Sequence, residues 1–130
     1  MRIRIYAILG VLATAINATT LALINAGIPL YDYVVALSVG HLANAPLLDM
    51  NRIEEGAGRG SSPQLTMAVY GRKPSSVLLM TADARTPLDK MHSMTESARL
   101  GLSKLFALLE ETIVMPDLQD TMTVREGLVE

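Results

Sequence analysis

The chain has 130 residues and a formal net charge of −2, with 50% hydrophobic and 18% charged residues. This length fits one domain, and this composition excludes an intrinsically disordered chain and a strongly basic nucleic-acid-binding domain. The absence of cysteine excludes disulfides, thiolate zinc sites and cysteine nucleophiles, and it suits a reducing compartment.

The first 31 residues have two interpretations. Residues 2–5 alternate with period two, which is typical of a half-buried strand, and residues 12–26 then carry small and apolar side chains at helical spacing. Gly27 and Pro29 are the residues that end a helix. We therefore predict a strand followed by a buried helix. The alternative, a small exported or membrane-anchored protein led by residues 1–18, stays open because residues 5–31 carry no charge.

Four further strands are predicted after this helix. The segment 33–42 is continuously apolar and indicates a central strand that is covered on both faces. A turn at residues 44–46 and a returning strand at residues 47–51 would complete a hairpin. After a Gly- and Ser-rich loop, two more strands are predicted at residues 64–70 and 77–82. The order strand, helix and four strands predicts an α+β fold.

A second, long helix closes the chain. Thr86 is placed as its N-cap, Pro87 at its first position and Asp89 in its first turn. Its core-facing stripe is predicted to be Leu88, Met91, Thr95, Ala98, Leu102, Leu105, Leu109 and Ile113. We expect the helix to end at residues 115–116, which divides the chain into a folded domain, residues 1–115, and a polar C-terminal tail, residues 116–130.

The residues by themselves predict no catalytic centre. Asp49, Glu54 and Glu55 adjoin the glycine-rich loop and could hold Mg²⁺, but nothing nearby in sequence supplies further oxygen ligands, and a solvated strand end explains them as well. His41 and His92 have no serine or cysteine in a defined relation, so we expect a surface or edge position for each. No metal and no cofactor is expected.

Several stretches resemble proteins of the RNase PH family. Residues 15–30, AINATTLALINAGIPL, resemble the central helix of that family, and residues 33–40, 47–55 and 63–69 match the strands that follow. The chain looks most like the eukaryotic RNA exosome ring subunit whose archaeal counterpart carries the phosphorolytic site. The resemblance implies part of a ribosomal protein S5 domain 2-like, RNase PH-type fold, with a mixed sheet packed against two long helices. That fold is about twice as long, so we expect its N-terminal half to be missing.

The resemblance also implies a degenerate active site. Active members hold phosphate with a Gly-Ser/Thr-Arg element at the start of the central helix, where this chain has glycine followed by Val11 and Leu12. Their two aspartates near the scissile phosphate correspond to Glu55 and Gln64, and Gln64 cannot ionise. We therefore expect a catalytically inactive subunit. The enzyme alternative is a phosphorolytic 3′-to-5′ exoribonuclease that uses Glu55 and Asp49.

The resemblance further implies a non-catalytic structural role in an exosome ring that acts in 3′-to-5′ RNA processing and degradation, including rRNA maturation and mRNA turnover. The expected partners are other RNase PH-like ring subunits, cap proteins and RNA, with no membrane, in the nucleus, the nucleolus and the cytoplasm. Arg52 and Arg59 are candidate RNA contacts. Arg72 and Lys73 also follow a strand, but they are expected to be ordinary surface cations.

Overall fold

The computed structural model describes residues 10–50, 54, 62–82 and 85–126, with side chains described as far as residue 113. The strand predicted at residues 2–5 and most of the loop at residues 54–63 lie outside these residues. The elements are α1 (Val11–Asn25), β1 (Val34–Leu42), β2 (Ala45–Leu48), β3 (Gln64–Tyr70), β4 (Val77–Ala82) and α2 (Leu88–Glu126). The predicted helices and strands within the described residues are therefore confirmed, with ends that differ by up to three residues except at the end of α2.

The four strands form one sheet in the order β2-β1-β3-β4, and all three pairings are antiparallel. The expectation of a mixed sheet is thus wrong for the described strands, because every neighbouring pair in the sheet runs in opposite directions. The first hairpin turns at Ala43 and Asn44, whose φ values of 48° and 66° suit a two-residue type I′ turn. Pro46, predicted in the turn, lies instead in the edge strand β2, where a missing N–H is tolerated.

The sheet has a helix on each face, because side chains along a strand alternate between faces. One face of β1 and β3 packs against α2 in a core of large side chains, which are Val35, Val39, Leu65, Met67, Val69, Met94, Ala98 and Leu102. The other face is made of small residues, and Ala36 and Ala68 pack there against Ala13 of α1. The prediction that the strand at residues 33–42 is central and covered on both faces is confirmed.

The buried stripe of α2 differs from the predicted one. Met94, Ala98 and Leu102 are at most 1% exposed and follow one another at four-residue steps, whereas Leu88 is 80% exposed. The helix begins at Leu88, one residue later than expected, and the carbonyl of Pro87 accepts its first hydrogen bond, from the Met91 N–H at 3.0 Å. Ala98 and Leu102 belong to both stripes, Met94 was not predicted, and Leu88 lies in an exposed first turn.

The predicted end of α2 at residues 115–116 is also wrong, since the helix continues to Glu126. Pro116 lacks an N–H and therefore cannot donate to the carbonyl of Thr112, but one missing bond does not end a helix. The residues that follow include Leu118, Gln119 and Met122, which are good helix formers. No helix among the described residues is long and apolar enough to cross a membrane.

Candidate functional site at the N-terminus of α1

The first turn of α1 lies where the resemblance places a phosphate clamp. Gly10 is the N-cap, no side chain caps the helix, and the Thr14 N–H donates to the Gly10 carbonyl at 2.8 Å. Val11 is half-buried and Leu12 is 43% exposed, and both carry only hydrocarbon beyond the backbone. A helix N-terminus attracts anions through its free N–H groups. Here, its first two residues add neither a hydroxyl nor a positive charge.

A carboxylate of the chain itself lies beside this helix end. Asp49 follows β2 in a left-handed conformation, with φ 51°, and its N–H donates to the carbonyl of Ser38 at 2.8 Å. This turn directs its side chain toward α1, so that Oδ1 lies 3.4 Å from the point that a Cβ on Gly10 would occupy. The N-terminus of α1 is therefore already next to a negative charge, which suits the helix dipole.

At this end of the sheet, a methionine packs directly against Gly40 of β1. Met50 is 9% exposed, and its Sδ lies where a Cβ on Gly40 would be, so only glycine leaves room for it. Gln64 faces Gly40 in the β1–β3 register and is half-buried. Ser38, Val39, Gly40, Met50 and Gln64 line a cavity of about 10 Å³. This volume holds no more than about one water molecule.

The structure brings several of the predicted site residues together. Val11, Leu12 and Asp49 are at or beside the start of α1, and Gln64 begins β3 at the same end of the sheet. Arg52, Arg59 and Glu55 lie outside the described residues. Among the described residues, no group of three or more histidines, cysteines or carboxylates could hold a metal ion.

His41 is buried, which corrects the expectation of a surface or edge position. It is 8% exposed, and its backbone N–H donates to the carbonyl of Pro63 at 3.1 Å. Burial lowers the pKa of its imidazole below the ordinary value, and the positive charge of Lys90 lowers it further. His41 therefore stays neutral in the folded protein at neutral pH. His92 is exposed, as expected.

Comparison with known proteins gives one consistent result. The chain is 35% identical over 104 residues to the exosome complex component SKI6 of Saccharomyces cerevisiae. It is 35% identical over 106 residues to the exosome complex component RRP41 of Homo sapiens and 34% identical over 104 residues to the RRP41 homolog of Arabidopsis thaliana. Each match covers 80% of this chain but only 40%, 41% and 42% of the respective relative. The chain thus spans about two fifths of the length of these relatives.

Structural comparison agrees with the sequence matches. The crystal structure of rice (Oryza sativa) Rrp46 superposes with a TM-score of 0.69 and 24% identity, over 79% of this chain and 47% of that one. No family model matches the chain. The fold is that of the RNase PH-like exosome subunits. In sequence, the chain is similar to the exosome components RRP41 and SKI6. The predicted resemblance is confirmed.

Proposed function

We propose that this chain is a non-catalytic structural subunit of an RNA exosome ring that acts in 3′-to-5′ RNA processing and degradation. Its relatives' names, exosome complex component, support the assembly. The observation that carries the loss of catalysis is the Asp49 carboxylate beside Gly10, at a helix start formed by Val11 and Leu12. In this proposal the chain contributes contact surface to the ring and does not catalyse phosphorolysis.

The electrostatics of this helix start oppose phosphate binding. Phosphorolysis needs inorganic phosphate beside the scissile bond, and two unit charges 4 Å apart repel by about 1 kcal/mol in water and about 4 kcal/mol near a protein surface. Asp49 would impose such a repulsion on a phosphate at the α1 N-terminus. Val11 and Leu12 carry no hydroxyl or guanidinium to offset it. Among the described residues, the backbone N–H groups of the first turn and the Thr14 hydroxyl, 3.8 Å from the Cβ position of Gly10, are left to attract the anion.

Gln64 weakens the case for catalysis independently. An amide neither accepts a proton at neutral pH nor supplies a carboxylate charge to a metal ion, so Gln64 cannot take the role of an acid or base. The half-buried Gln64 begins β3 beside a cavity that holds about one water molecule.

The proposed partners are the other RNase PH-like subunits and the cap proteins of the ring, together with RNA, and the proposed locations are the nucleus with its nucleolus and the cytoplasm. The proposed processes are rRNA maturation and mRNA turnover. Arg52 and Arg59 remain candidate phosphate contacts. Replacing both with alanine should reduce the slope of log affinity against log salt for RNA binding by the assembled ring by about 1.4, which corresponds to two lost contacts to single-stranded RNA.

Two measurements test this proposal. A C-terminally tagged chain, isolated from its own cells, should be recovered within a ring of RNase PH-like subunits by native mass spectrometry, and recovery only as a monomer contradicts the assembly. The isolated assembly, given RNA, inorganic phosphate and Mg²⁺, should release no nucleoside diphosphates. Release that disappears in Asp49→Asn and Glu55→Gln, but persists in the exposed-residue control Glu110→Gln, would establish the phosphorolytic alternative.

A further inference from the structure

A second concave surface lies at the end of the sheet opposite the α1 N-terminus, where α1 ends, β1 begins and β3 ends. Its lining residues are Tyr31, Asp32, Tyr70, Arg72 and Lys73, and its volume is about 350 Å³. We call it the Tyr31–Arg72 surface. It combines two aromatic side chains with two cations, and α1, 15 residues long, separates it by about 22 Å from the candidate site.

The fold holds this surface in place through Asp32. One carboxylate oxygen, Oδ1, accepts the Tyr33 N–H at 2.8 Å, and the other, Oδ2, accepts the Arg72 N–H at 3.2 Å. The Gly71 N–H also donates to the Tyr33 carbonyl at 2.8 Å. The bonds from Arg72 and Gly71 join the loop after β3 to the loop before β1, and both carboxylate oxygens of Asp32 accept hydrogen bonds within the protein. The guanidinium of Arg72 lies 6.0 Å from the centroid of the Tyr33 ring.

Tyr31 is the least protected side chain of this surface, with a relative exposure of 106%. Its ring stands between the Tyr31–Arg72 surface and an adjoining depression of about 310 Å³, which Pro29 and Leu30 line with it. A fully exposed ring buries no apolar surface, so it adds no hydrophobic stabilisation to the fold. Tyr31 therefore offers its ring to a ligand without disturbing the packing of the sheet.

We infer that the Tyr31–Arg72 surface binds single-stranded nucleic acid. Bases stack on the exposed ring of Tyr31, while Arg72 and Lys73 contact backbone phosphates, which is the combination used by proteins that bind single strands. An acidic peptide would use the two cations but would leave the aromatic face without a planar partner. This inference goes beyond the proposed function, because it requires neither assembly into a ring nor phosphorolysis.

The test is fluorescence anisotropy of the full chain with end-labelled oligouridylate and oligothymidylate. Both probes should bind, since stacking and phosphate contact do not depend on the 2′-hydroxyl. Tyr31→Ala should weaken binding by about 5- to 160-fold, the range expected for one lost stacked base. The double variant Arg72→Ala/Lys73→Ala should reduce the slope of log affinity against log salt by about 1.4. Arg99→Ala/Lys104→Ala removes two exposed cations of α2 and is the matched control.

Three results would overturn the inference. The first is no binding of either probe at low salt. The second is an equal loss of affinity in the control variant, because binding would then follow net charge. The third concerns competition by polyglutamate. If polyglutamate displaces the probes from Tyr31→Ala as efficiently as from the unaltered chain, the Tyr31 ring contributes nothing to binding. A urea midpoint unchanged in all variants ensures that lost binding reflects the surface. Failure here leaves the exosome proposal untouched, since that proposal is tested by ring recovery.

Discussion

Removing the side-chain amide of Asn17 should destabilise the fold by uncovering an unpaired edge of β1. Its Nδ2 donates to the Ala36 carbonyl and its Oδ1 accepts the Ala36 N–H, both at 2.8 Å. In an antiparallel ladder both groups of one residue point to the same side, and among the described strands β2 pairs with β1 from Val39 to Leu42 and does not reach Ala36. Asn17 therefore takes the place of a neighbouring strand. Thr20 does the same for Val34, because its Oγ1 donates to the Val34 carbonyl at 2.8 Å.

The magnitude follows from what Asn17→Ala leaves behind. Ala36 is 1% exposed, and two of its backbone polar groups lose their partners at once. One buried group left without a hydrogen bond costs about 1–3 kcal/mol, so two cost roughly 2–5 kcal/mol, less where water enters the vacated space. Against a typical total of about 5–15 kcal/mol, this is a large fraction of the stability.

Urea unfolding of the full chain measures the loss of folding free energy, and hydrogen exchange of the Ala36 amide shows where the structure is weakened. Thr19→Ala is the control, because Thr19 lies on the same helix, is exposed and bonds only to the Ala15 carbonyl four residues earlier. Asn17→Ala should lower the free energy of unfolding by at least 1 kcal/mol more than the control and speed exchange at Ala36. Equal effects of the two substitutions would refute the strand-substitute role of Asn17.

Two further predictions concern packing and pH. Gly71→Ala should cost about 1–3 kcal/mol in urea unfolding, because the new Cβ would overlap the Phe106 ring, and an unchanged midpoint would contradict this packing. His41, whose pKa is lowered by burial and by Lys90, should make the fold less stable as pH falls below about 6.5, since the unfolded chain then binds more protons than the folded one. His41→Gln should flatten that decline between pH 7.5 and 5.5, while the exposed His92→Gln should not.

The sequence predicts the elements of this fold because their signals are local. The apolar run at residues 33–42, the residues Gly27 and Pro29, and the strands at residues 64–70 and 77–82 each depend on neighbours in sequence. The orientation of α2 is not local. Apolar spacing alone allows Leu88 in the stripe, and only the three-dimensional packing of α2 on the sheet shows that Leu88 is exposed.

The candidate site is predictable only in part. The resemblance shows that Val11, Leu12 and Gln64 stand where the family has other residues. This difference is readable from the sequence because it concerns residue types and not positions in space. The position of Asp49 beside Gly10 depends on a left-handed turn after β2 and has no sequence signal of its own. The Tyr31–Arg72 surface was missed for a similar reason, since its residues are about 40 positions apart and are brought together by bonds such as that from the Arg72 N–H to Asp32 and that from the Gly71 N–H to the Tyr33 carbonyl.

The residues that hold the sheet together are separate from those that a phosphorolytic site would require. Asn17, Ala36 and Ala68 fix α1 against the sheet by hydrogen bonds and close contact, so changes there reduce stability. Val11 and Leu12 lie in the first turn, where hydrocarbon side chains break no contact of the core described above. A chain of this fold can therefore lose its phosphate clamp at little cost in stability. Under the proposed function, this separation accounts for a fold that is kept without a hydroxyl or a guanidinium on the first two residues of α1.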